Sequence, residues 1–441
     1  MKRLSTILFI SMAVVFGLNT VIPVPLFADV LISAPPPLAE LLEEGLAENK
    51  EIQSLAAQVE SLKEEISFAG SLEDPRLGLG VLNLPTDTFN FDQEPMTQKV
   101  LFLAQKVPWF GKLSLKSKRT ALMASRQQAV LEAKKLELAR RIATAYYEVG
   151  FVASNLEINS RLMDMVSQLL KVAETRYASG EGLQQDVLQA QVELTNLLDE
   201  KIVLKRKRRT LEDQINGLLN RESFAPVIPP KPPMYADITL DFETLKSQSL
   251  SNNSWLRVRQ AEVNQAIVEE ELAKKDYWPN MDFKVAYGQR EEDFSGRDLP
   301  DFVSATVTLT IPLWAKSRQG KKLAASKKTH EAAIKSYRNL LETLPHRVDA
   351  LATEIRDTQE NYRLYVDALL VQSEQWARSS LAAYEGGRVE FNTTINAQIR
   401  LLRVELQAKR YLYSIYQKLA ELEEVIGGPL DMALEDVNKS S

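Results

Sequence analysis

His330 and His346 are the only histidines in a chain of 441 residues that contains no cysteine. The absence of cysteine removes disulfides, thiolate metal sites and a lipidated N-terminal cysteine together. The two histidines stand too far apart in sequence to form a local ligand pair, and both read as ordinary surface residues of a polar helical rod. Glu269-Glu270-Glu271 is the densest run of carboxylates near them. Contiguous residues on a helix point in different directions, so this run makes no acid/base pair. No catalytic, cofactor-binding or metal-binding set emerges, and the chain does not read as an enzyme. The formal charge of -5 is small for this length and marks no nucleic-acid partner. The local exception, Lys205-Arg206-Lys207-Arg208-Arg209, falls inside a helical pattern and reads as a solvated face.

The informative spacing lies elsewhere. Residues 176–191, RYASGEGLQQDVLQAQ, are echoed by residues 383–398, AYEGGRVEFNTTINAQ. At an offset of 207, Tyr177 falls on Tyr384, Gly180 on Gly387, Leu188 on Ile395, Ala190 on Ala397 and Gln191 on Gln398. In each copy a glycine ends one long helical pattern and another begins soon after, which predicts the tip of an antiparallel helical hairpin. Each copy also keeps a tyrosine three positions before the glycine, which a turn alone does not require. Two readings stay open. Either the ring and hydroxyl latch one helix to a neighbour, or the ring simply fills the seam.

Those tips need long elements to carry them. Helical periodicity runs from about Leu113 to Tyr177, a rod of about 95 Å at about 1.5 Å per residue. Ile142, Val149, Leu156, Met163, Leu170 and Tyr177 recur every seven residues, with Ala145, Val152, Val166 and Ala173 beside them. The return helix shows Leu183, Ala190, Leu197, Leu204, Leu211 and Leu218. In the second half Val348, Ile355, Tyr362, Leu369 and Trp376 repeat the spacing, and Ile395, Ile399, Leu402, Leu406, Tyr413 and Tyr416 return. A sustained seven-residue repeat demands coiled-coil-like packing.

Before each rod the period changes to two. Leu77, Leu79 and Val81 alternate with Arg76, Gly78 and Gly80, and a second strand is expected over 97–107. In the second half Met281, Phe283, Val285 and Tyr287 alternate with polar or small residues, as do Val303, Val307 and Leu309 with Ser304, Thr306, Thr308 and Thr310. Strand by strand, a membrane barrel and a soluble sheet with one wet face predict the same pattern. Short helical stretches, 38–67 and 245–275, precede the two strand pairs. An offset of 204 places Asn49 on Asn253, Pro75 on Pro279, Pro108 on Pro312 and Lys112 on Lys316, so the chain reads as a duplication. The expected organisation is a first repeat over 38–222, a proline-rich linker over 223–237, a second repeat over 238–429 and a loose tail over 430–441. Residues 1–28 read as a secretory signal, with Lys2 and Arg3 ahead of an apolar stretch; an uncleaved anchor helix is the alternative.

Four strands cannot close a barrel whose smallest common form has about eight, so other copies must supply the rest. The fold class expected is therefore mainly α with a small β part. Duplicated coiled-coil-like α-hairpins carry four strands per chain that pool into an oligomeric outer-membrane barrel. Met281, Phe283, Val285, Val303, Val307 and Leu309 would face lipid.

The duplicated plan, Arg176-Tyr177 with Gly180, Asp186-Val187-Leu188 with Ala190-Gln191, and the strand-closing Pro108-Trp109-Phe110-Gly111-Lys112 and Pro312-Leu313-Trp314 resemble the TolC-like outer membrane efflux family. The resemblance covers nearly the whole mature chain. It implies a homotrimer with a twelve-stranded barrel above a helical tunnel, serving as exit duct for a periplasmic adaptor and an inner-membrane pump. It implies no cofactor. It places Arg176, Tyr177, Gly180, Asp186, Leu188, Tyr384 and Gly387 at the tip turns and the adaptor-docking surface. Where relatives carry two acidic residues at the constricted entrance, this chain has Thr393 and Asn396. Glu390, one turn nearer the tip, is the candidate for a negative ring in their place, against its reading as a solvated glutamate. Two rivals remain at this stage: an adaptor, which would have one hairpin set in glycine-rich β-domains, and a structural coiled coil of the envelope, which leaves the paired strands unexplained. The cargo, whether metal, drug or protein, is not legible.

Overall fold

The structure is a computed structural model that describes residues 36–293 and 295–430. The expected signal over 1–28 and all of the expected tail except Leu430 lie outside the described residues. Leu430 itself is not loose, because its side chain is buried in the second core cluster.

Each half begins with a broken helix rather than the continuous one expected. In the first half α1 (Pro36–Glu48) gives way to α2 (Lys50–Gly70) at Asn49, and in the second α5 (Phe242–Asn252) gives way to α6 (Ser254–Lys275) at Asn253. The asparagine is the reason. Asn49 Oδ1 accepts from the backbone of Glu51 and Ile52 at 3.0 and 3.2 Å, and Asn253 Oδ1 accepts from Leu256 N at 2.9 Å, so each caps the helix that follows. Each then spends its amide on a distant carbonyl: Asn49 Nδ2 donates to Leu218 O at 2.9 Å, and Asn253 Nδ2 to Val425 O at 2.7 Å. Those acceptors lie in the last turns of the two return helices, α4 (Gln184–Leu218) and α9 (Phe391–Ile426). The duplication thus extends to individual hydrogen bonds.

The strands β1 (Arg76–Leu82), β2 (Gln98–Val107), β3 (Asn280–Gln289) and β4 (Phe302–Thr310) form one antiparallel sheet in the order β1-β2-β3-β4. Because β2 pairs with β3, the two halves of the duplication share one sheet, with β1 and β4 at its edges.

The first rod is α3 (Lys112–Ala178), 67 residues and about 100 Å long. Its buried row is not the set that begins at Ile142. Leu131, Leu138, Ala145, Val152, Asn159, Val166 and Ala173 stay buried without interruption at seven-residue spacing. The Ile142 row is buried at Ile142 and Val149, only half-buried from Leu156 to Leu170, and half exposed at Tyr177. The cause is a change of neighbours. Near Ile142 the helix packs against α1, α2 and α9 as well as α4, whereas beyond Ile158 only α4 and the second hairpin cover it. Leu183 is likewise exposed, because it is the residue ahead of α4 rather than part of its seam.

The second rod is not one α-helix. It runs as α7 (Gln319–Arg363), a π-helical stretch (Leu364–Leu370) and α8 (Val371–Glu385). The wider stretch rotates the seam: Val348 and Ile355 are buried, Tyr362 and Leu369 are partly covered, and Trp376 is exposed while Ser373, Ala377, Ser380 and Tyr384 are buried in its place. The linker carries no helix or strand up to Asp241, which caps α5, and it is laid against the rods rather than free. Val227 joins the first core, and Tyr235 stacks on Tyr362 with ring centroids 4.6 Å apart.

Candidate functional site

At the first tip, Gly180 adopts φ +77° and donates to Tyr177 O at 3.1 Å, while Glu181 N donates to Arg176 O at 2.8 Å. At the second, Gly387 adopts φ +68° and donates to Tyr384 O at 3.0 Å, while Arg388 N donates to Ala383 O at 2.8 Å. The two turns are built alike, with a glycine where a side chain would be strained. The tyrosines are not equivalent. Tyr384 is 3% exposed and Tyr177 50%. Tyr384 packs edge-on against Phe391 at 5.7 Å, and the Arg176 guanidinium lies over its ring at 5.0 Å from the centroid. Arg176 Nη1 also donates to Tyr384 O at 2.9 Å, so one arginine of the first hairpin holds both the ring and the carbonyl of the second. Burial pushes the Tyr384 hydroxyl above its ordinary pKa, although the neighbouring Arg176 opposes the shift. Sequence named Arg176 and Tyr384 but not their contact, since nothing in the spacing joins residues of different hairpins.

Asp186 is half-buried and Leu188 exposed on α4. Glu390 precedes α9 without capping it through its side chain, and Thr393 and Asn396 are exposed on α9. Asn392, which the sequence did not single out, accepts at Oδ1 from Asn396 Nδ2 at 2.7 Å and from Gln189 Nε2 at 3.0 Å. That shared acceptor is a second tie between the hairpins.

At the other end of the molecule the register sorts the sheet into two faces. Phe283 lies opposite Val307, Met281 opposite Leu309, Tyr287 opposite Val303, and Val285 opposite both Leu103 and Ala305. Leu101 and Leu103 in turn face Leu79 and Leu77, so the apolar face spans all four strands and is largely exposed. On the reverse face Ser304, Thr306 and Thr308 lie opposite Ala286, Lys284 and Asp282, Arg76 pairs with Asp282 at 2.8 Å, and Lys284 lies 4.1 Å from the centre of the Phe102 ring. Phe102 itself occupies the space that a side chain at Gly78 would need. Where strands meet rods, Trp109 stacks on Trp278 at 4.9 Å, with Phe110 and Trp314 exposed nearby. Lys112 is buried there and donates to Asn280 Oδ1 at 2.9 Å.

His330 is not the unattached surface residue expected. Its Nδ1 lies 3.1 Å from Glu270 Oε2, and Lys274 pairs with the same carboxylate at 2.8 Å, because α6 packs along α7. These partners hold the Glu270 carboxyl below its ordinary pKa. Among the described residues no three His, Cys, Asp or Glu side chains are grouped to hold a metal ion. The basic run is also engaged: Lys207 pairs with Glu148 at 2.7 Å, Arg208 with Glu212 at 3.0 Å, and Arg209 covers the Phe224 ring. Among the described residues no helix is long and apolar enough to cross a membrane.

No protein with a curated description matches the sequence significantly. The fold is shared with solved structures of outer-membrane channels. OprN aligns at a TM-score of 0.76 and 16% identity over 89% of this chain and 90% of its own. VceC from Vibrio cholerae gives 0.75 and 16% over 89% and 96%, and the open state of MtrE from Neisseria gonorrhoeae gives 0.72 and 15% over 91% of each. At such identities the likeness is one of fold. The family model for outer membrane efflux proteins matches residues 41–221 and 245–428, one segment in each half of the duplication. The chain belongs to the outer membrane efflux protein family, the TolC-like group of channels rather than enzymes.

Proposed function

We propose that the chain is the outer-membrane exit duct of a tripartite efflux or secretion system, receiving cargo from a periplasmic adaptor and an inner-membrane pump. The observation that carries the reading is the single four-stranded sheet, apolar on one face, polar on the other, unpaired at both edges and fused to rods of about 100 Å. Three copies joined edge to edge would close a twelve-stranded barrel, with Met281, Phe283, Val285, Val303, Val307 and Leu309 toward lipid and the rods reaching into the periplasm. Trp109, Trp278 and Trp314 would lie at the interface, where amphipathic rings are favoured. The tips, with Arg176, Asp186, Leu188 and the exposed Tyr177, would meet the adaptor.

The same reading makes the contact between Arg176 and Tyr384 a latch on the entrance. The latch uses the ring and the carbonyl, which phenylalanine retains. In planar bilayers the parent is expected to conduct poorly, Tyr384→Phe to stay near it, and Arg176→Ala and Tyr384→Ala to conduct several-fold better. Equal conductance in parent and alanine variants would remove the latch. Absence of channels from every variant would remove the duct.

A further inference from the structure

We propose that the entrance of this duct prefers anions and that Arg400 is the charge that sets the preference; the inference rests on the duct reading above. The outward face of α9 presents, from the tip upward, Asn392, Thr393, Asn396, Arg400 and Arg403, all exposed and spaced to share one side of the helix. That face carries no carboxylate. The nearest acid farther along the helix, Glu405, is paired with Arg161 and Lys409 instead. Arg403 borders a groove with Glu193 and Glu200, so part of its charge is answered from α4. Arg400 forms no ion pair among the described residues.

The two tips also differ in charge. Residues 181–196 of the first hairpin hold no arginine and three carboxylates, whereas the matching residues 388–403 of the second hold three arginines and Glu390 as the sole carboxylate. In a trimer the stripe recurs three times around one axis, and charges within about 8 Å escape screening at physiological salt. A narrow passage with low-dielectric walls focuses that field further, and rings of arginine select anions. The cargo class that fits is small anions and molecules bearing an exposed carboxylate or phosphate.

The test is the reversal potential of the full-length protein in planar bilayers across a potassium chloride gradient. The parent is expected to show a chloride-to-potassium permeability ratio above unity, Arg400→Lys to keep it, Arg400→Gln to lower it and Arg400→Glu to bring it below unity. Glu181→Gln, on the first tip, should leave it unchanged. Conducting channels with a ratio below unity in the parent, or one that ignores Arg400→Glu and Arg400→Gln, would overturn the inference and leave the duct standing. A parent that forms no channels would overturn the duct itself.

Discussion

Gly427→Ala is expected to destabilise the protein by about 2–5 kcal/mol. Gly427 adopts φ +85°, where an L-residue is strained, and a Cβ there would stand 2.3 Å from Asn252 O and 2.8 Å from Asn253 N. Neither obstacle is a flexible side chain, so the end of α9 must shift away from the break between α5 and α6. That shift stretches the bond from Asn253 to Val425. Asn253→Ala should accordingly cost about 2–4 kcal/mol, combining a lost helix cap with an orphaned buried carbonyl. Thermal unfolding in detergent, followed by circular dichroism, reads both. Asn220→Gly provides the contrast, since Asn220 holds the matching position of the first half at φ 56° and asparagine tolerates that conformation. It should change stability little. If Gly427→Ala melts with the parent, the junction is not the rigid clamp described.

Val307→Arg carries the second large effect. Val307 lies opposite Phe283 on the exposed apolar face, and Thr308, its neighbour in the strand, lies opposite Asp282 on the polar face. An arginine held in hydrocarbon near the bilayer midplane costs about 2–4 kcal/mol per chain, whereas one directed into a wet lumen does not. Assembly of Val307→Arg in the outer membrane should fall sharply, and Thr308→Arg should assemble like the parent. Heat-modifiable mobility of membrane fractions would measure both yields. Equal yields would place the apolar face somewhere other than in lipid.

How much of this was legible in sequence depends on whether the signal is periodic. The rods, the strands and the duplication announce themselves because burial on one side imposes a period of seven or two. Both heptad rows of α3 are legible in that way, but which of them stays buried to the tip is not, because it depends on how many helices surround each stretch of α3. Asn49 and Asn253 appeared as matched letters, but their reach to Leu218 and Val425 is a tertiary fact. The π-helical stretch Leu364–Leu370 has no letter pattern of its own, so the seam at Trp376 was placed on the wrong face. The contact of His330 with Glu270 arises from the packing of α6 on α7. At the tips the turns were readable from Gly180 and Gly387. The contact between Arg176 and Tyr384 was not, because the two residues belong to different hairpins and meet only where those hairpins pack together.

The central claim is that three chains pool their sheets, since the unpaired edges of β1 and β4 leave a single copy with an open apolar sheet. The most direct measurement is the mass of the detergent-solubilised protein by light scattering, corrected for bound detergent. The account predicts a particle of three 49.7 kDa chains, less any cleaved leader, that needs detergent to remain in solution. A stable monomer that is soluble without detergent would contradict it.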